Sequence, residues 1–225
     1  MLPYKNVEEI TSDGLTIRGL FIYQKDPMKH QTIVFMHENA GNIGLRLDYY
    51  HMLYNSLSVN IVTFAYRGYS ESEGVPSEDG IKLDADAIVN HLNKLIQGNQ
   101  IDKSTVFILG RSLGGAVAIH TVEKYPQVFR GAIIENTFTS ISDMVDIIFY
   151  FVKPFKWLIL RNHWNSVDTI TRIENPLLLI GGKLDELVPY EMTLKLHDHA
   201  KKTVNKELYI VEDGEHNDTW YKAGD

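Results

Sequence analysis

Ser112, Asp185 and His216 are the residues whose types and surroundings fit covalent catalysis in this chain. A serine hydroxyl is a weak nucleophile at neutral pH. It needs a base within hydrogen-bond reach, and the base needs an acid to orient it. Ser112 stands in Gly110-Arg111-Ser112-Leu113-Gly114, a match to G-x-S-x-G. That spacing marks a strand that turns straight into a helix and lifts the serine to the tip of the turn. A side chain at Gly110 or Gly114 is expected to collide with the neighbouring strand or helix. The hydroxyl then sits at a helix N-terminus, where free N–H groups and the dipole favour negative charge.

Asp185 lies in GGKLDELVP, just past the apolar run Pro176–Ile180, and His216 lies in EDGEHND, just past Glu207–Val211. Ser, then Asp, then His is the chain order of this triad on a parallel sheet covered by helices. Glu135 follows the run Gly131–Ile134 and is a second candidate for the acid. The other histidines fit less well. His197 and His199 fall on a helical stretch as surface residues, and His120 falls on the elbow helix as a packing residue. No histidine–carboxylate cluster has metal-ligand spacing, so neither metal nor cofactor is expected. An oxyanion needs two backbone donors. One is expected at the N–H of Leu113. The other is expected in the loop after Thr32–Met36, at Asn39 or Ala40.

The elements that must position these groups follow from the apolar pattern. Val7–Ile10 and Leu15–Ile22 flank a Ser-Asp-Gly turn and predict an antiparallel hairpin. Thr32–Met36, Val59–Phe64, Val106–Leu109, Gly131–Ile134, Pro176–Ile180 and Glu207–Val211 are short apolar runs, as expected of buried strands. Ile81, Ala85, Ile88, Leu92 and Leu95 repeat at helical spacing, so Ser77–Gln97 predicts an amphipathic helix capped by Ser77 or Glu78. Leu45–Leu57 and Tyr190–Ala200 predict two more helices. Strands alternating with helices imply a mostly parallel central sheet with helices on both faces, an α/β class fold. No repeat or linker divides residues 1–225, which read as one α/β domain. The irregular stretch 137–165 is a candidate small cap segment.

Composition narrows the function classes. With 22 basic against 29 acidic residues the net charge is −7, and there is no basic block, which argues against nucleic acid as a partner. The chain has no cysteine, which excludes disulfides, thiolate metal sites and thiol nucleophiles. No apolar run approaches the roughly 20 residues that span a bilayer, and the N-terminus lacks a signal-peptide apolar region. The expectation is a soluble domain, cytoplasmic or peripheral to a membrane.

Five stretches carry a family resemblance: HENAGNIGLRL from His37, YRGYSESEG from Tyr66, GRSLGGAVAIH from Gly110, ENTFTSI from Glu135 and DGEHNDTW from Asp213. Together they resemble the Bem-type (bud emergence forty-six-like) branch of the α/β-hydrolase superfamily. The resemblance implies a serine hydrolase with Ser112, Asp185 and His216 as its triad. Relatives include esterases and enzymes linked to protein depalmitoylation. The family pattern also includes an N-terminal membrane anchor and a last helix after HNDTW, and neither is expected here. It has Gly where this chain has Glu38, whose charge is expected to oppose the oxyanion.

Two function classes follow. The first is an esterase or thioesterase that forms an acyl-enzyme on Ser112, acting on a small acyl ester or an acylated protein, with possible peripheral membrane contact. Phe149, Phe151, Phe155 and Trp157 are the sequence candidates for the surface that binds the acyl chain. The second is a catalytically weak or inactive binding scaffold on the same fold, favoured by Glu38 and by the missing last helix. An Asp-nucleophile dehalogenase or epoxide hydrolase is disfavoured, because the elbow carries Ser.

Overall fold

The computed structural model describes residues 2–39, 43–148 and 162–222. Eight strands form one sheet: β1 (Tyr4–Ile10), β2 (Thr16–Ile22), β3 (Thr32–Met36), β4 (Asn60–Phe64), β5 (Val106–Arg111), β6 (Gly131–Glu135), β7 (Leu177–Gly182) and β8 (Lys206–Val211). Their spatial order is β1-β2-β4-β3-β5-β6-β7-β8. The opening hairpin pairs antiparallel, with Val7 opposite Gly19, and β2 also runs antiparallel to β4. All remaining pairs are parallel. The architecture is the α/β-hydrolase fold expected from the sequence.

Among the described residues the α-helices are α1 (Leu47–Ser56), α2 (Glu78–Gln97), α3 (Leu113–Lys124), α4 (Ile141–Ile148), α5 (Ser166–Thr169), α6 (Tyr190–His199) and α7 (Thr219–Lys222). They cover both faces of the sheet, which is why the central strands are continuously apolar. In β3, Val34 and Met36 join a core with Ile81, Ile88 and Leu92 of α2 and Val117 of α3. Ile33 and Phe35 turn the other way, onto Tyr49, Tyr50 and Leu53 of α1. Every residue of Thr32–Met36 is buried. Each such large apolar side chain contributes about 1.5–3 kcal/mol by leaving water. Beyond the last strand, α7 lays Trp220 on Tyr49, with ring centroids 4.7 Å apart.

The loops at the carboxyl ends of the parallel strands are braced by polar groups. Ser77 caps α2, its hydroxyl accepting from the N–H of Gly80 at 3.1 Å. Arg67, in the loop before α2, bonds Asp84 through Nε at 2.9 Å and Asp13 through both terminal nitrogens. The segment entering α5 is clasped to the first turn of α2. The Asn162 side chain accepts from the Glu78 N–H at 2.9 Å, while the Glu78 carboxylate accepts from the N–H groups of His163 and Trp164. Burial works against ionisation of Glu78, but these bonds and Lys82 outweigh it and hold its carboxyl below the usual range.

Candidate active site

The elbow between β5 and α3 has the strained form that the glycine spacing predicts. Ser112 lies at φ +53° and ψ −121°, a conformation costly for any residue with a Cβ. A Cβ on Gly110 would stand 2.1 Å from the carbonyl oxygen of Gly114, and one on Gly114 would stand 2.0 Å from that of Met36. Both positions therefore exclude side chains. The backbone of Ser112 is anchored on both sides. Its N–H donates to the Glu135 carbonyl at 3.0 Å, and its carbonyl accepts from the Gly115 N–H and the Thr137 hydroxyl. The Ser112 side chain makes no bond to the helix it caps. Its hydroxyl stays available for chemistry at the N-terminus of α3, beside the N–H of Leu113.

Asp185 and His216 meet from adjacent loops, after β7 and β8. Asp185 Oδ2 lies 2.8 Å from His216 Nδ1. The other oxygen, Oδ1, accepts from the N–H of Leu187 at 2.9 Å and of Val188 at 2.7 Å. Both side chains are buried. Glu135, the rival acid, is committed elsewhere. Its Oε2 accepts from the Tyr49 hydroxyl at 2.7 Å, and its Oε1 faces Arg111 Nε at 3.7 Å. Full burial pushes its carboxyl above the usual range, with Arg111 opposing the rise.

Ser112, Leu113 and His216 line one cavity of about 530 Å³ together with Glu38 and Asn39. That volume falls within the range of about 300–1,000 Å³ common to small-molecule sites. Much of the lining is apolar: Ile81, Phe138, Ile141, Met144, Trp164, Leu187 and Val188. None of these was a sequence candidate. They are scattered over α2, α4 and three loops, and only the fold collects them. The sequence candidates Phe149, Phe151, Phe155 and Trp157 lie outside the described residues, as does Ala40.

Glu38 does line the cavity, but its charge is answered. Its Oε1 lies 3.0 Å from Arg46 Nη2 and 3.1 Å from Arg111 Nη1. Two guanidiniums beside the carboxylate, one of them shared with Glu135, offset the repulsion that the sequence suggested. The preceding residue, His37, is buried and stacked on Tyr66. Its Nε2 accepts from the Tyr66 N–H at 3.1 Å, so Nδ1 carries the proton and donates to the Glu38 carbonyl at 2.7 Å. Burial lowers the His37 pKa to about 4 and keeps the ring neutral.

The model of the prolyl oligopeptidase family matches residues 81–223, a span that contains Ser112, Asp185 and His216. Alpha/beta hydrolase domain-containing protein WAV2 of Arabidopsis thaliana is 35% identical, over 100% of this chain and 76% of its own. Protein bem46 of Schizosaccharomyces pombe is 32% identical, over 97% of this chain and 72% of its own. Among solved structures, esterase Pf2001 of Pyrococcus furiosus superposes with a TM-score of 0.74 at 20% identity, covering 97% of this chain and 86% of its own. The chain belongs to the α/β-hydrolase superfamily, with a core of the prolyl oligopeptidase family, and stands among its Bem46- and WAV2-like members.

Proposed function

We propose that the protein is a serine hydrolase that cleaves carboxylic esters or thioesters through an acyl-enzyme on Ser112. The observation that carries this reading is the Asp185–His216 bond at the wall of the cavity that Ser112 also lines. In the first step Ser112 Oγ attacks the acyl carbonyl carbon while His216 Nε2 takes its proton. Asp185 holds the ring and offsets the imidazolium charge. The oxyanion falls to the Leu113 N–H and to a second N–H from the loop holding Asn39 and Ala40. The bond to the leaving oxygen or sulfur then breaks, and the alcohol or thiol departs with the proton from His216. Water, deprotonated by His216, attacks the acyl carbon; the bond to Ser112 Oγ breaks, Oγ takes the proton back from His216, and the acid leaves.

The apolar walls favour an acyl group of medium or long chain over acetyl. Small acyl esters and acylated proteins, including S-acylated ones, are the substrate classes that fit. A fluorophosphonate probe tests the chemistry: wild type labels and Ser112→Ala does not. A panel of oxoesters and thioesters of rising chain length then ranks the substrates. A wild-type protein that the probe leaves untouched would establish the binding-scaffold reading instead.

A further inference from the structure

Arg111 fills the variable slot of the elbow, one residue before Ser112, and its side chain is only 5% exposed. The triad chemistry does not require it. Yet three separate segments send groups to its guanidinium. Nη1 lies 3.1 Å from Glu38 Oε1, in the loop after β3. Nη2 donates to the carbonyl of His216 and, at 3.0 Å, to Asn217 Oδ1, in the loop after β8. Nε faces Glu135 Oε1 at 3.7 Å, at the end of β6. Three of these four partners are held a second time. Glu38 also meets Arg46 at 3.0 Å, Glu135 accepts from Tyr49 at 2.7 Å, and the His216 carbonyl also accepts from Asn136 Nδ2 at 3.2 Å.

Burying an ion cluster costs desolvation, and a buried pair is weak evidence of stability. What a guanidinium supplies here is geometry. It is a planar fork whose donors point in fixed directions, whereas a lysine ammonium is a point charge on a flexible stem. One edge of the fork faces the residue before Asn39. The other bonds the backbone of His216 itself. Both loops are thereby referred to the same strand end, from which Ser112 is the next residue.

We infer that Arg111 is a positioning residue that holds the oxyanion loop and the histidine loop in register with Ser112, through Glu38 on one side and the His216 carbonyl on the other. The inference rests on the hydrolase reading above for its kinetic arm, and on loop coupling alone for its exchange arm.

The test compares wild type, Arg111→Met, Arg111→Lys and Glu38→Gln by ester kinetics and by backbone hydrogen exchange. Rates are normalised to the folded fraction. Displacing a catalytic group by about 1 Å costs on the order of a hundredfold. Arg111→Met is therefore expected to lose about ten- to a hundredfold in kcat with KM within about twofold. Exchange should quicken in Glu38–Asn39 and in Glu215–Asn217 together, with β1 and β2 unchanged. Arg111→Lys should resemble Arg111→Met, because charge without the fork does not join two loops. Glu38→Gln keeps the side chain and weakens the pair. It should quicken exchange in the His216 loop, although Glu38 itself lies in the other loop. If Arg111→Met fails to fold, Glu38→Gln alone decides. Wild-type kcat in Arg111→Lys overturns the inference, and so does exchange confined to the mutated loop. A wild type that hydrolyses nothing but shows coupled exchange overturns the hydrolase reading and leaves the coupling standing.

Discussion

Asp185 and His216 are joined at 2.8 Å, and the bond uses Asp185 Oδ2 alone because Oδ1 is already taken by the N–H groups of Leu187 and Val188. The carboxylate cannot rotate without losing backbone bonds. Its grip on Nδ1 therefore fixes the ring plane and leaves Nε2 as the nitrogen that the proposed chemistry would use. The aspartate is positioned by its own loop, so in the proposed reaction the loop after β7 would share in the catalytic geometry.

Asp185→Asn should keep the fold and lower ester hydrolysis by roughly four decades, as expected when a triad acid becomes an amide and the wrong imidazole tautomer is favoured. Glu135→Gln should act differently. It disturbs the Tyr49 and Arg111 contacts and lowers stability by about 1–3 kcal/mol, while the rate per folded molecule changes far less. Steady-state kinetics with matched denaturation curves separate the two. Near wild-type turnover in Asp185→Asn with a dead Glu135→Gln would reverse the acid assignment.

Much of this was legible in the sequence, and for physical reasons. Strands buried on both faces read as apolar runs, so Thr32–Met36 was bounded to the residue. The elbow was legible because its two glycines answer to steric contacts at about 2 Å that allow no alternative. Asp185 and His216 were legible because each follows its own strand. The apolar lining of the cavity was not, because Phe138, Met144, Trp164 and Leu187 share no period and come together only in space. The meaning of Glu38 was also hidden. A charge beside an expected oxyanion loop reads as a fault until Arg46 and Arg111, 8 and 73 positions along the chain, are seen to reach it. Ion pairs of such separation leave no local signature.

Met144 lines the cavity from α4. Met144→Trp should shorten the acyl chain that the cavity accepts, because a larger ring fills space that methylenes would occupy. Each buried methylene is worth about 0.8 kcal/mol, close to fourfold in kcat/KM. Wild type should gain efficiency along an ester series from acetate upward, and the variant should stop gaining several carbons earlier. Identical chain-length profiles would show that the acyl group lies elsewhere.

His37 sets an acid limit on stability. Its pKa falls from an ordinary 6.5 to about 4 on burial. Between those values the unfolded chain binds the proton and the native one does not. The stability is thus complete above about pH 6.5 and is lost as pH falls toward 4, by about 3 kcal/mol in all. Protonation of Nε2 would also forfeit its bond from the Tyr66 N–H. Urea unfolding of wild type at pH 7, 5.5 and 4.5 should show this loss. In His37→Gln the slope over the same window should be smaller. Equal slopes would mean that other groups set the acid limit.

Ser112 is held at φ +53° with a Cβ, a backbone conformation that glycine adopts without penalty. Such strain costs of order 1–3 kcal/mol and is retained where function needs it. On the hydrolase reading, it presents the hydroxyl to the cavity that Ser112 lines. Removing the Cβ should release the strain, and removing only the oxygen should not. Ser112→Ala and Ser112→Gly should both abolish probe labelling. Ser112→Gly should then be the more stable of the two by about 1 kcal/mol, once about 0.5–1 kcal/mol is allowed for the greater freedom of glycine in the unfolded chain. Paired chemical denaturation of the two variants reads the difference directly. A glycine variant less stable than the alanine variant would show that the elbow stores no strain at Ser112, and that the positive φ is imposed at no cost by its bonds to Glu135 and Thr137.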